Sequence, residues 1–252
     1  MNFLITGAAG FLGSTLANQL AREGHQVRGL DDLSTGDPQA LSPDVHFTRG
    51  DVNDRPKLWT LLQEVDCVYH LAARVSVPES ILYPREYNAV NVGGTVSLRI
   101  FNAYGPGQHL PASNPPVIPY FLRQAVRNGT LVVNGDGNQT RDYVYVDDVV
   151  CAMVAAATAP SVNGLVINIG SGVETRTRAL ADLVLKVTGS QTNIVSSAQT
   201  PGGVSRLCAD LELATQKLNY RPSIPLGEGL RLSLQKDVRF KGTKELTMNG
   251  TK

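Results

Sequence analysis

The chain has 252 residues, a formal net charge of +1, a hydrophobic content of 42% and a charged content of 18%. This length suits one large domain or two unequal lobes, and the composition is ordinary for a globular protein. Lys and Arg are scattered, which argues against a nucleic-acid partner, and the longest apolar run, residues 149–157, is too short to span a bilayer. With no signal peptide before the first strand, we expect a cytoplasmic protein without a membrane partner.

The predicted elements alternate between strands and helices. Strands are predicted over residues 2–6, 26–30, 45–48, 67–71 and 165–169. Helices are predicted over residues 11–23, 57–65, 144–159 and 177–188, and a frayed tail over residues 241–252. Strands that are almost continuously apolar and alternate with helices indicate a parallel sheet covered on both faces. The predicted fold class is therefore α/β, with a doubly wound parallel sheet.

Three cysteines, Cys67, Cys151 and Cys208, lie within apolar runs. Their odd number favours buried free thiols in a reducing compartment, and a redox or metal role is the alternative. No metal site is predicted.

The strongest motif is FLITGAAGFLG, in which Gly7, Gly10 and Gly13 fall at the turn between the first strand and the first helix. Glycine permits the tight turn, a close approach of the backbone to a pyrophosphate, and close packing of the helix on the sheet. Asp31 ends the second strand, where its carboxylate suits a ribose diol and repels a 2′-phosphate, so NAD is favoured over NADP. The alternative is a glycine turn beside a solvated acid.

Further motifs follow in a fixed order. They are GLDDLSTG, GDVND, YHLAA, NVGGT, LRIFNAYGPGQ, GDGNQTRDYVYVDDVV, NIGSG and GGVSRLCADLELA. With the Gly-x-x-Gly-x-x-Gly loop, this series resembles the extended short-chain dehydrogenases/reductases of the nucleotide-sugar epimerase and dehydratase group, whose best-known member is UDP-glucose 4-epimerase. The resemblance runs from Met1 to about Arg239 and implies a Rossmann-type sheet with a smaller C-terminal substrate-binding lobe.

The resemblance implies two domains and a set of cofactor residues. The NAD-binding domain is expected over 1–110 with 141–171 returning to it, and the nucleotide-sugar-binding lobe over 111–140 and 172–240. Phe11 and Leu12 would supply N–H groups to the pyrophosphate. Other implied NAD contacts are Asp31 and Asp32 at the adenosine ribose, Asp51 and Val52 at the adenine, and Leu71, Ala72 and Ala73 beyond the fourth strand. The apolar members of this set have sheet core as their alternative role.

The resemblance also implies a UDP- or dTDP-sugar partner, and a homodimer is left open. Asn102 matches a nucleotide-sugar ligand, with a turn residue as the alternative. Arg141 matches an arginine that pairs with the diphosphate, with a simple ion pair to Asp142 or Asp147 as the alternative. Thr200 stands where relatives often have a second such arginine, and Arg206 is a candidate substitute with different geometry.

One departure from the family pattern is large. In this family the NVGGT helix is followed by a fifth strand, then by a helix carrying Tyr-x-x-x-Lys, and only then by the strand LRIFN. Here a helix predicted over residues 84–95 passes directly into a strand predicted over 96–102, so one strand and one helix of the family fold are absent. The stretch TVSL, residues 95–98, suits both the helix end and the strand start. The new strand would take the fifth place, beside residues 67–73.

None of the eight tyrosines is followed four positions later by lysine. In the family this Tyr takes a proton from the sugar while the Lys lowers its pKa. The sequence therefore predicts a family member that binds NAD and a nucleotide sugar but is inactive in this form. The alternatives are a non-catalytic binding protein and a structural module, and the glycine loop with Asp31 argues against the module.

Overall fold

The computed structural model describes residues 1–73, 96–112, 114–198 and 204–240. Two compact units are present. The first comprises Met1–Ser97 with Val162–Leu165, and the second comprises Leu98–Ser161 with Val166–Lys252. The functional division into an NAD-binding domain and a sugar-binding lobe stays a prediction.

The secondary structure of the described residues follows the predicted alternation of strands and helices as far as residue 70, whereas strands follow one another directly at several places from residue 97 onwards. The strands are β1 (Asn2–Thr6), β2 (Gln26–Asp31), β3 (Val45–Arg49), β4 (Cys67–His70), β5 (Ser97–Ile100), β6 (Asn102–Tyr104), β7 (Leu131–Asn134), β8 (Thr140–Tyr145), β9 (Val166–Ile169), β10 (Glu174–Arg176) and β11 (Ile194–Ser197). The helices are α1 (Phe11–Arg22), α2 (Arg55–Leu61), α3 (Val117–Val126), α4 (Val146–Thr158), α5 (Thr177–Thr188), α6 (Glu212–Leu218) and α7 (Leu226–Lys236), with short 3₁₀ helices at Pro38–Ala40 and Val238–Phe240.

The first unit contains a four-stranded sheet in the order β3-β2-β1-β4, and every pair in it is parallel. Strand β1 is central, and its Leu4 and Ile5 are both fully buried although they point to opposite faces. Helix α1 covers the sheet with a stripe of buried side chains, including Leu16 and Leu20. These features confirm the α/β class and the parallel sheet.

The second unit contains a three-stranded sheet in the order β10-β8-β6, in which β10 is antiparallel to β8 and β6 is parallel to it. Two further pairs are β7 with β11, which are parallel, and β5 with β9. Aromatic residues form much of the core: Tyr104 and Tyr145 are buried with their rings 5.5 Å apart, edge to face. Helix α4 supplies Val149 and Met153 to the same core.

The strand predicted over residues 96–102 is two strands with different partners, which corrects the prediction. Within the described residues, β5 pairs with β9 and does not extend the first sheet beside β4. The chain changes partner at Phe101, whose N–H donates to the carbonyl of Ile169 at 2.8 Å, and Asn102 then pairs with Tyr143 of β8. A single apolar run thus serves two sheets.

Two of the predicted helices also have wrong boundaries. The helix predicted over 57–65 starts earlier, because the Asp54 carboxylate caps it by accepting from the N–H of Lys57 at 3.1 Å. It ends earlier because Arg28 donates from Nη1 to the carbonyls of Leu61 and Gln63 at 2.9 and 2.6 Å.

The helix predicted over residues 144–159 begins only at Val146, because Val144 and Tyr145 complete strand β8.

The cysteine prediction is corrected as well, because Cys151 and Cys208 are exposed and Cys67 is half-buried. Among the helices of the described ranges, none combines the length and apolar character needed to cross a membrane. The helix predicted over residues 84–95 and the tail 241–252 lie outside the described residues.

Candidate functional site

The glycine loop joins β1 to α1 and permits two close backbone approaches. Gly7 has φ +71°, and a Cβ there would lie 2.6 Å from the backbone nitrogen of Ala72. A Cβ on Gly13 would overlap the carbonyl oxygen of Gly7. Only glycine fits both positions, so these residues bring the helix start and the segment after β4 against the loop.

Helix α1 begins behind Gly10 without a side-chain cap, and its first turn carries no acidic residue. The N–H groups of Phe11, Leu12 and Gly13 have no partner within the helix, since the first turn of any helix leaves its donors free. Together with the positive end of the helix dipole, these donors suit an anion such as a phosphate.

Asp31 lies at the end of β2 and is fixed beside the glycine loop. Its side chain is 8% exposed, and its Oδ2 accepts from the N–H of Ala9 at 3.0 Å while Oδ1 accepts from the N–H of Leu33 at 2.8 Å. Each carboxylate oxygen has a second lone pair with which to accept a further hydrogen bond. Asp32 is exposed, and its Oδ1 accepts from the N–H of Ser34 at 2.8 Å.

The residues after β3 and β4 complete the first group of candidates. Asp51 is exposed, and its Oδ1 accepts from the N–H of Asn53 at 2.8 Å, while Val52 is half-buried. The N–H of Leu71 donates to the carbonyl of Thr6 at 3.0 Å. Since β1 to β4 are parallel, their carboxyl ends meet at one edge, where ligands bind in open α/β sheets.

Thr6 and His70 also lie at this edge, although the sequence did not predict them as site residues. The Thr6 hydroxyl is buried and lies 2.7 Å from Nδ1 of His70, and it accepts from the N–H of Ala72 at 3.4 Å. These contacts tie the end of β1 to the segment after β4. The sequence offered one signal for these two residues. Thr6 directly precedes Gly7 of the glycine loop, and His70 is the last residue of β4.

Asn102 and Arg141 both lie in the second unit. Arg141 is part of β8, and Asn102 lies on β6, which pairs with β8. Asn102 donates from Nδ2 to the backbone carbonyl of Asp142 at 3.0 Å. Arg141 donates from Nη1 to two backbone carbonyls, of Thr140 at 2.7 Å and of Val204 at 2.9 Å. These contacts hold the guanidinium beside Thr140, at the start of β8, which is the middle strand of the β10-β8-β6 sheet.

The carboxylates considered as partners of Arg141 bind other groups. Asp142 is fully buried and accepts from the N–H groups of Ser171, Gly172 and Ala209. Asp147 forms an ion pair with Lys236 at 3.6 Å.

Arg206 forms a bidentate ion pair that the sequence did not predict. Its Nε and Nη2 donate to the two carboxylate oxygens of Glu174, both at 2.8 Å. The Thr140 hydroxyl donates to the same carboxylate at 2.9 Å. The hydrogen bond from Arg206, followed by that from Thr140, lowers the pKa of Glu174 to about 2.

The described tyrosines with a resolved shift are poor candidates for a base near neutral pH. In each case burial raises the pKa of the phenol above its ordinary value near ~10. They are Tyr69, Tyr104, Tyr143, Tyr145 and Tyr220.

Comparison with known proteins gives a consistent result. The NAD dependent epimerase/dehydratase family matches residues 3–98 and 94–170. A UDP-glucose 4-epimerase of Mycolicibacterium smegmatis is 30% identical over 309 residues, covering 93% of this chain and 98% of the relative.

Solved structures agree with this assignment. UDP-glucose 4-epimerase of Thermotoga maritima with UDP-glucose has a TM-score of 0.84 at 25% identity, covering 99% of this chain and 100% of its own. UDP-glucuronic acid 4-epimerase of Bacillus cereus, in complex with UDP-glucuronic acid and NAD, has a TM-score of 0.80 at 25% identity, covering 98% and 100%.

Two features of the sequence matches concern the junction near TVSL. The two matched segments of the family overlap at residues 94–98, so this stretch matches the family twice. The match to the Mycolicibacterium smegmatis relative spans 309 positions, which exceeds the 252 residues of this chain by 57. That alignment therefore includes positions of the relative with no counterpart here.

The predicted Rossmann-type fold, nucleotide-sugar epimerase family and family cofactor are confirmed by these matches. With a parallel sheet, a glycine loop and an adjoining acidic residue in the expected places, the chain belongs to the NAD dependent epimerase/dehydratase family.

Proposed function

We propose that this chain binds NAD and a UDP-sugar in the manner of a UDP-glucose 4-epimerase, and that in its present form it does not turn the sugar over. The observation that carries the binding proposal is the hydrogen bond between Asp31 and the glycine loop at Ala9. It places an acceptor for a ribose hydroxyl beside N–H donors for a pyrophosphate.

The residues of the first unit fit this cofactor. Gly7 and Gly13 allow the loop to pack directly against neighbouring backbone, which a Cβ would prevent, and the start of α1 offers uncapped donors. The proposed NAD contacts are Gly7, Gly10, Phe11, Leu12, Gly13, Asp31, Asp32, Asp51, Val52, Leu71, Ala72 and Ala73. When bound, NAD would supply a hydride acceptor and donor. The chain's own residues bind and orient it.

Titration calorimetry with NAD and NADP tests the cofactor proposal. A buried carboxylate at Asp31 would repel a 2′-phosphate, so NAD should bind much more tightly than NADP. Equal affinities, or a preference for NADP, would refute the role of Asp31.

The second unit supplies the proposed nucleotide-sugar contacts, Asn102, Arg141 and Arg206. Two guanidinium groups near one strand suit a diphosphate, because a planar guanidinium donates to two phosphate oxygens at once. The relatives of known structure were solved with UDP-glucose and UDP-glucuronic acid, which supports a UDP-sugar over a dTDP-sugar.

The proposed inactivity rests on the absence of Tyr-x-x-x-Lys from the sequence. It is supported by the overlap of the two family matches at residues 94–98 and by the raised pKa values of the buried tyrosines. General acid–base catalysis contributes about 10²–10⁴-fold to rate, so loss of the base would prevent ordinary turnover. Binding alone does not compensate, because it stabilises substrate and transition state alike.

A paired turnover assay tests this part. The unmodified chain should not interconvert UDP-glucose and UDP-galactose with NAD present. A variant with a family strand and a Tyr-x-x-x-Lys helix inserted between Leu98 and Arg99 should do so. The matched control carries the same insertion with Phe in place of its Tyr, and it should be inactive. Ordinary turnover by the unmodified chain would mean that another base exists.

The alternative is a non-catalytic NAD- and nucleotide-sugar-binding protein, which the absence of Tyr-x-x-x-Lys equally favours. Sequencing the encoding gene across codons 95–99 tests whether the gap is real. A gene that encodes the missing segment favours an enzyme from whose chain it has been lost, and a gene without the segment favours the binding protein. A cytoplasmic location and a homodimer stay predictions.

A further inference from the structure

Residues 204–209, called the strap here, belong to the second unit and are held by hydrogen bonds at both ends. At the C-terminal end, the N–H of Ala209 donates to Oδ2 of Asp142 at 3.1 Å, and both residues are buried. Asp142 also accepts from the hydroxyl and N–H of Ser171 at 2.6 and 2.7 Å. This end of the strap is therefore held by a buried, charge-assisted network.

The other end of the strap, residues 204–206, is held by contacts with Thr140, Arg141 and Glu174. Thr140 donates its N–H to the carbonyl of Ser205 at 2.9 Å, and Arg141 donates to the carbonyl of Val204 at 2.9 Å. Arg206 completes this end through its bidentate pair with Glu174. Both arginines proposed for the diphosphate thus hold the strap in the ligand-free chain.

The pair between Arg206 and Glu174 is suited to exchange. The two side chains are 78% and 29% exposed, and exposed ion pairs contribute little because water and salt screen them. When Arg206 leaves, Glu174 keeps the hydrogen bond from Thr140 and contact with water, so no charge is left buried without a partner. The strap keeps its buried anchor at Asp142.

A diphosphate is the stronger competitor for the same guanidinium. It carries more negative charge than one carboxylate, and it offers oxygens spaced for the same bidentate geometry. We infer that Glu174 is an internal counter-anion that competes with the diphosphate of a bound nucleotide for Arg206, so that binding transfers this guanidinium from Glu174 to phosphate. Glu174 would thereby set the affinity of the site. This inference rests on the proposed function of the second unit.

The test is titration calorimetry with UDP on the full chain and on Glu174→Gln. Glutamine keeps the size of the side chain and an acceptor for Thr140 but removes the charge. Glu174→Gln should bind UDP about two- to fivefold more tightly, the range expected when an exposed ion pair no longer has to be broken. In an Arg206→Gln background the same substitution should have no effect, because the competition is gone.

Asp182→Asn is the matched control, since Asp182 also forms an exposed pair with an arginine, Arg178, at 3.8 Å. It removes one negative charge from the same unit and should leave UDP affinity unchanged. Weaker binding by Glu174→Gln would mean that Glu174 positions Arg206 for the ligand, and unchanged binding would mean that Arg206 does not meet it. Either result would overturn this inference but leave the proposed nucleotide site standing. Absence of UDP binding by every variant would refute the proposed nucleotide site as well.

Discussion

Substitution of Asp142 by asparagine should destabilise the second unit strongly. Oδ1 of Asp142 accepts from the N–H and the hydroxyl of Ser171, and Oδ2 accepts from the N–H groups of Gly172 and Ala209 at 2.9 and 3.1 Å. With the asparagine NH₂ turned towards Gly172 and Ala209, both of their N–H groups lose their acceptor. With the NH₂ turned towards Ser171, only the N–H of Ser171 loses its acceptor, because the hydroxyl can rotate and accept from the amide. A donor left unsatisfied costs about 1–3 kcal/mol, and the remaining donors exchange a charged acceptor for a neutral one, while the relief of a buried charge returns part of this, so we expect a net loss of about 2 kcal/mol.

Urea denaturation followed by far-UV circular dichroism measures this loss as a fall in the free energy of unfolding. The matched control is Asp136→Asn, because Asp136 is exposed and accepts from the N–H and Nδ2 of Asn138 alone at 2.9 and 2.8 Å. The control should stay within the error of the measurement. A loss below about 1 kcal/mol for Asp142→Asn would refute the reasoning, since it would mean that the buried donors find other acceptors.

Three further predictions concern the proposed ligands. Asp31→Ala should narrow the difference in affinity between NAD and NADP, measured by calorimetry, and an unchanged ratio would contradict its placement at the ribose. Arg141→Ala should weaken UDP-sugar binding by about 1.5–3 kcal/mol and leave NAD binding unchanged. An unaltered UDP-sugar affinity would mean that Arg141 only holds the strap in place. Because the pKa of Glu174 is lowered from 4.5 to about 2, its pair with Arg206 should contribute fully above pH 4.5 and be lost as the pH falls towards 2. In a ¹³C NMR titration of the unmodified chain, the Glu174 carboxyl should still be ionised at pH 3.5. In Arg206→Gln the same carboxyl should become protonated at a higher pH than in the unmodified chain. A titration midpoint above 4 in the unmodified chain would exclude the ion pair.

The features that the sequence predicted well are local. The glycine spacing, the strand before it and the helix after it lie within residues 2–23. Each glycine is needed for the backbone conformation or close approach at its own position, so the sequence shows the requirement directly. The position of Asp31 at the end of the next strand was also predicted, and its role at the ribose stays a prediction. The parallel sheet followed from strands that are apolar on both faces, as the burial of Leu4 and Ile5 confirms.

The features that the sequence did not predict depend on distant partners. The helix end at Leu61 is set by Arg28, which is 33 residues away. The boundary at Val146 carries no side-chain cap, so no local signal marked it. The ion pair of Glu174 with Arg206 joins residues 32 positions apart, and neither position has a pattern that selects the other.

The first unit is built from a discontinuous stretch of chain, and this affects how the protein is made. Residues Val162–Leu165 belong to it, and the N–H of Ser97 donates to the carbonyl of Leu165 at 2.9 Å. Domains tend to fold in order as they leave the ribosome, but this unit stays incomplete until residue 165 has been synthesised. Much of the second unit has emerged by then, so a nascent chain halted before Val162 should retain a protease-sensitive first unit. In a chain that extends beyond Leu165, the first unit should be complete and resist the protease.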